Sequence, residues 1–172
     1  MEILIPGLIL VGLMVWVSTR IKRNAAKAFE REEIETAEFS LTKPEGFLAP
    51  VDPADGALFS AYSKEFGIDG AERLRRAAAE LRVFPVAQLS DVIEQAKDGA
   101  ADILFEQTGV IGGSKCANIV LERLEDGISL ESHYKIVAGP ASVYQLAVNV
   151  LSANKDEFQP KIDELLDSFS LS

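Results

Sequence analysis

Residues 117–137, Ala-Asn-Ile-Val-Leu-Glu-Arg-Leu-Glu-Asp-Gly-Ile-Ser-Leu-Glu-Ser-His-Tyr-Lys-Ile-Val, decide the fold. Ala117 to Leu124 is a strand-forming run that meets Asp126-Gly127, a strong signal for a two-residue hairpin turn. Beyond the turn, Ile128, Leu130, Tyr134 and Ile136 fall on one face of a strand and Ser129, Glu131, His133 and Lys135 on the other. That alternation predicts an antiparallel strand with one buried and one solvated face.

The same pattern extends outward on both sides. Upstream, Ile103-Leu-Phe105 predicts another strand and Gly109 to Gly113 a turn. Downstream, Gly139-Pro140 turns the chain into Val143–Leu151, apolar enough for a central strand. Phe158, Ile162, Leu165, Leu166 and Phe169 then recur at helical spacing, with Pro160 expected in the first turn, so a terminal helix should pack across the sheet. Nearer the start, Glu38–Thr42 alternates around Phe39 and Leu41, and Ala57–Phe66 has the aromatic content of a strand. Asp69 and Glu72 precede Leu74, Ala77, Ala78 and Leu81, a set that predicts a capped amphipathic helix. Leu81–Val86 reads as a short edge strand, because Pro85 is tolerated there. A second helix carries Leu89, Val92, Ile93 and Ala96 and ends at Asp98-Gly99.

Residues 3–19 are apolar or small throughout and lead directly into Arg20, Lys22 and Arg23. As a helix these seventeen residues span about 26 Å, close to the roughly 30 Å of a hydrocarbon core. Trp16 suits an interfacial position, and the basic flank can snorkel. A cleaved signal peptide wants its positive charge before the apolar run, and here only Met1-Glu2 precedes it. The reading is therefore a single transmembrane anchor over residues 1–23 in the inner (plasma) membrane. By the positive-inside rule its N-terminus lies outside and the C-terminal domain in the cytoplasm. Residues 24–36, rich in helix formers, are expected to form a helical stalk, and residues 37–172 an acidic α+β domain.

Charge narrows the function. The 172-residue chain carries a formal net charge of −10, while residues 1–36 hold equal numbers of acidic and basic side chains. The excess belongs to the domain, which should repel nucleic-acid phosphates. Cys116 is the only cysteine, so neither an intramolecular disulfide nor a zinc cluster is expected, and no cofactor motif appears. Gly109–Lys115, GVIGGSK, fails the phosphate-loop spacing and lies between strands, so it reads as a flexible turn. His133, Ser129 and Glu131 share a face and permit a proton relay on paper, but a solvated sheet face is the plainer expectation. Cys116 beside Lys115 lacks an adjacent base and reads as a small strand residue. Glu122, Glu125 and Asp126 flank the hairpin, and Asp163, Glu164 and Asp167 line the polar side of the last helix as a candidate surface for a basic partner.

Phe39, the Pro44-Glu45-Gly46-Phe47 turn, Val143-Tyr144-Gln145-Leu146 and Ser168-Phe169, in this order over residues 37–170, resemble the PsbP-like superfamily. The resemblance implies an antiparallel sheet packed against helices in an α/β/α sandwich, here preceded by one transmembrane helix. It transfers no metal, catalytic or partner residue to this chain. Two functions follow as expectations. The first is a non-catalytic accessory or scaffold protein that sits in the lipid bilayer and binds a larger membrane-associated assembly. The rival is a small-molecule-binding or hydrolytic domain, which would need His133, Cys116 and carboxylates gathered around a concave pocket.

Overall fold

The Asp126-Gly127 turn forms with φ of +51° and +81°, the left-handed pair that a tight hairpin requires. It joins two long strands of a computed structural model that describes residues 27–53 and 56–172. The elements, in chain order, are β1 (Glu32–Glu35), β2 (Phe39–Lys43), β3 (Phe47–Leu48), β4 (Phe59–Ser63), β5 (Ala77–Pro85) and α1 (Leu89–Lys97). They continue with β6 (Asp102–Ile111), β7 (Ser114–Glu125), β8 (Ile128–Ala138), β9 (Ser142–Leu151), α2 (Lys155–Ser168) and β10 (Ser170–Leu171). Seven strands form one antiparallel sheet in the order β3-β4-β5-β9-β8-β7-β6, and β1-β2-β10 form a second, small sheet.

The large sheet is buried on both faces around β8 and β9. On one face Leu146, Val148 and Val150 pack in a single core with Leu81, with Phe39 and Leu41 of β2, and with Phe158, Ile162 and Leu165 of α2. On the other, Ala117, Ile119, Leu121, Tyr134 and Ile136 pack under Val92, Ile93 and Ala96 of α1. Period-two alternation sends neighbouring side chains to opposite layers, so the strands sit between two helices. The result is the expected α+β arrangement with helices on both sides. Arg123 fastens α1 to the sheet: Nη1 donates to the Asp98 carbonyl at 2.7 Å and Nη2 to that of Ala96, at the helix end where a cation is favoured.

Four expectations need correction. The helix predicted through Leu74, Ala77, Ala78 and Leu81 is absent, and Ala77–Leu81 instead begin β5. Ala77, Ala79 and Leu81 are fully buried while Ala78 and Glu80 are only partly so, a period of two. Backbone pairing with β4 on one edge and β9 on the other overrides the helical preference of alanine. The edge-strand expectation for Leu81–Val86 holds beyond Leu81, where β4 stops: Arg82–Pro85 pair with β9 alone, and the missing N–H of Pro85 interrupts no ladder.

The helical stalk over 24–36 gives way to strand β1 at Glu32–Glu35, paired along β2 with Ile34 against the core. Buried Lys43 secures this segment by donating to the Ala28 carbonyl at 2.8 Å, with Glu32 at 3.4 Å. Pro160 lies in the second turn of α2, because that helix begins at Lys155. Finally, the face of β8 expected to be solvated is covered: Glu131, His133 and Lys135 are all buried, since α2 crosses them. The apolar run 3–19 and the residues Trp16, Arg20, Lys22 and Arg23 lie outside the described residues. Among the described residues no helix is long and apolar enough to cross a membrane.

Candidate functional site

Where α2 crosses β8 it leaves a groove of about 330 Å³ on its flank toward β6. Asn118, Val120, His133 and Lys135 from β7 and β8 line it, with Phe105 and Ile111 from β6. From α2 come Gln159, Asp163, Leu166 and Asp167, spaced at one to two turns so that they share one side of the helix.

Two buried basic groups define the chemistry. Lys135 Nζ donates to the carbonyls of Leu166 at 2.7 Å and Phe169 at 2.9 Å, satisfying the C-terminal end of α2. Burial pulls this ammonium below the ordinary lysine value, and nearby Asp167 opposes the shift. His133 Nε2 lies 2.8 Å from Glu131 Oε1, and Lys155 approaches the other carboxylate oxygen at 3.5 Å. Burial is the largest influence on the imidazole and lowers its pKa; Glu131 and Asp163 pull it upward, and Lys155 pushes it down. The pair can hold or pass a proton, but among the described residues no hydroxyl or thiol is paired with it as a nucleophile.

The residues singled out from the sequence separate accordingly. Asp163 and Asp167 sit exposed on the groove, Asp163 accepting from Gln159 Nε2 at 2.8 Å. Glu164 is turned away and pairs with Arg31 at 2.7 Å, so the three acids are not one surface. Ser129 is not part of a relay with His133, because its hydroxyl bonds to Glu122 at 2.9 Å and to Ser152 at 2.6 Å. Cys116 is buried beside Gly109 and does not line the groove. Lys115 is exposed beside the β6–β7 hairpin, where the turn expected from Gly109 narrows to Gly112 and Gly113, at φ of +58° and +86°, because Gly109–Ile111 continue β6 and Ser114 begins β7. Among the described residues no three His, Cys, Asp or Glu side chains are grouped to hold a metal ion.

Only Ile103–Phe105 of β6 was legible as strand; its extension to Ile111 and its exposure were missed. All ten of its residues are exposed, among them Ile103, Leu104, Phe105, Val110 and Ile111 at 47–66%. The available signal was that apolar residues occupy both faces of this run, which a half-buried strand does not require.

No protein-family model matches the chain, and no curated protein matches it in sequence. Solved structures do resemble it. LpqN of Mycobacterium tuberculosis, described as involved in cell envelope biogenesis, superposes with a TM-score of 0.60 at 9% identity, over 83% of this chain and 91% of that one. The Saccharomyces cerevisiae Ran-binding protein Mog1p gives 0.57 at 11% identity, over 83% and 96%. The cyanobacterial PsbP of Synechocystis gives 0.56 at 11%, over 83% and 92%. The fold of this chain is therefore the PsbP-like fold.

Proposed function

We propose that this chain of PsbP-like fold is a non-catalytic accessory or scaffold protein that binds a larger membrane-associated assembly through the groove between β6 and α2. The observation that carries the reading is the half-exposed apolar wall of that groove, Phe105 and Ile111, facing the acidic rim of Asp163 and Asp167. An apolar patch rimmed by like charge is a feature of protein-binding surfaces. A Ran-binding protein among the structural neighbours is consistent with this use of the fold.

The apolar run 3–19 anchors the chain in the inner membrane, with the domain on the cytoplasmic side by the basic flank Arg20, Lys22 and Arg23. Confinement to one surface raises the effective concentration of a partner, so a weak contact suffices. Phosphatase and fluorescent-protein fusions at the C-terminus test the orientation: a bright fluorophore with inactive phosphatase is expected, and the reverse would overturn it. Binding itself is tested by crosslinking in native membranes followed by mass spectrometry of the material attached to the full-length chain.

The buried His133–Glu131 pair favours a second reading, a small-molecule-binding or hydrolytic pocket. Tight ligand binding or turnover by the purified chain that is lost in His133→Gln would select it over the scaffold.

A further inference from the structure

β6 ends the large sheet. Its ten residues span about 33 Å, and among the described residues no strand pairs with its outer edge. Folded proteins blunt such edges with prolines, lysines, bulges or brevity, because a bare row of N–H and C=O groups templates pairing with another chain. The opposite edge of the same sheet follows the rule, since β3 is two residues long. β6 does not. Its register with β7 shifts between Ile103 and Phe105 and then runs unbroken to Ile111. Over that stretch there is no proline and a single charge, Glu106, which is engaged by Lys97 at 2.7 Å.

We propose that the β6 edge accepts an extended segment of a partner protein by strand addition, and that this segment alternates apolar residues with lysine or arginine. The proposal rests on the protein-binding reading above and specifies its partner. Backbone groups of Phe105–Ile111 supply the ladder, and side chains on the groove side of the added strand lie over Phe105 and Ile111. The charge follows from what faces that side: Asp163 and Asp167 on α2. A second copy of this chain fits poorly, because pairing β6 with itself brings together two chains of net charge −10 and duplicates the acidic rim.

The full chain in lipid nanodiscs is titrated with a synthetic peptide of alternating valine and lysine as long as β6. Parallel titrations use a valine–glutamate peptide and a valine–lysine peptide interrupted by proline, with amide exchange followed residue by residue. The valine–lysine peptide is expected to bind and to slow exchange over Phe105–Ile111 by about tenfold or more. The other two peptides should not. Asp163→Lys with Asp167→Lys, both at exposed positions, should weaken binding, as should Ile111→Lys, which places a cation on the groove wall.

Equal binding of the proline-interrupted peptide, or binding that leaves β6 exchange unchanged, would reduce the effect to plain charge attraction and overturn strand addition. So would a chain that is already dimeric with β6 protected before peptide is added. A partner crosslinked only from sites remote from β6 would overturn strand addition while leaving the protein-binding reading standing. Failure to capture any partner in membranes removes that reading as well.

Discussion

Lys135, on β8, donates from Nζ to the backbone carbonyl of Leu166 at 2.7 Å, so a sheet residue closes the last turn of the terminal helix. A second bond to the Phe169 carbonyl, at 2.9 Å, holds the chain where it leaves α2 for β10. Replacement by methionine keeps much of the apolar stem but leaves two carbonyls without this donor. The Lys135→Met chain is expected to lose about 1–3 kcal/mol, read as a lower urea midpoint at unchanged slope. An unchanged midpoint would mean that water replaces the ammonium at no cost.

Acid should destabilise the fold through His133. Its buried imidazole titrates below the ordinary value of 6.5, chiefly through desolvation, with Glu131 and Asp163 opposing and Lys155 assisting. Above that value both folded and unfolded chains are neutral at this site, and its contribution is fully present. As pH falls through 6.5 the unfolded chain takes up the proton first, so stability declines until the folded-state value is reached. His133→Gln removes this component, and its unfolding midpoint should depend less on pH below 6.5 than that of the native chain. Parallel pH profiles would show that the imidazole is not the group responsible.

The terminal helix is expected to be indispensable. Phe158 is buried and meets Phe47 edge-to-face, with centroids 6.0 Å apart and planes at 85°. Phe158→Ala should cost about 3–5 kcal/mol through the cavity it leaves, and truncation before Phe158 should abolish cooperative thermal unfolding. Retained cooperativity in the truncated chain would separate the helix from the core.

The legible parts of the fold were those in which local chemistry and tertiary position agree. Asp126-Gly127 has few options other than a tight turn, and Val143–Leu151 is too continuously apolar to lie anywhere but the centre of a sheet. Ala77–Leu81 misled because alanines carry a strong helical preference and a weak face pattern, and only the pairing partners β4 and β9 decide between the two. His133 and Lys135 misled for a different reason. Polar residues at alternate positions imply water unless a helix crosses them, and α2 comes from a segment twenty or more residues away in sequence. Of the candidate site, Asp163 and Asp167 were visible on a helical face. The groove itself was not, because its other wall is built by β6.

A photoreactive amino acid at Ile111, on the groove wall, in the full-length chain within native membranes reports directly on what the groove holds. A matched chain carries it at Val51, which is 98% exposed and follows β3 at the far edge of the sheet. Ile111 is expected to crosslink to a discrete partner polypeptide and Val51 is not, and the yield should fall with added salt and in Asp163→Lys with Asp167→Lys. Absence of a specific crosslink from Ile111, together with turnover or tight small-ligand binding that depends on His133, would contradict the scaffold account and establish its rival.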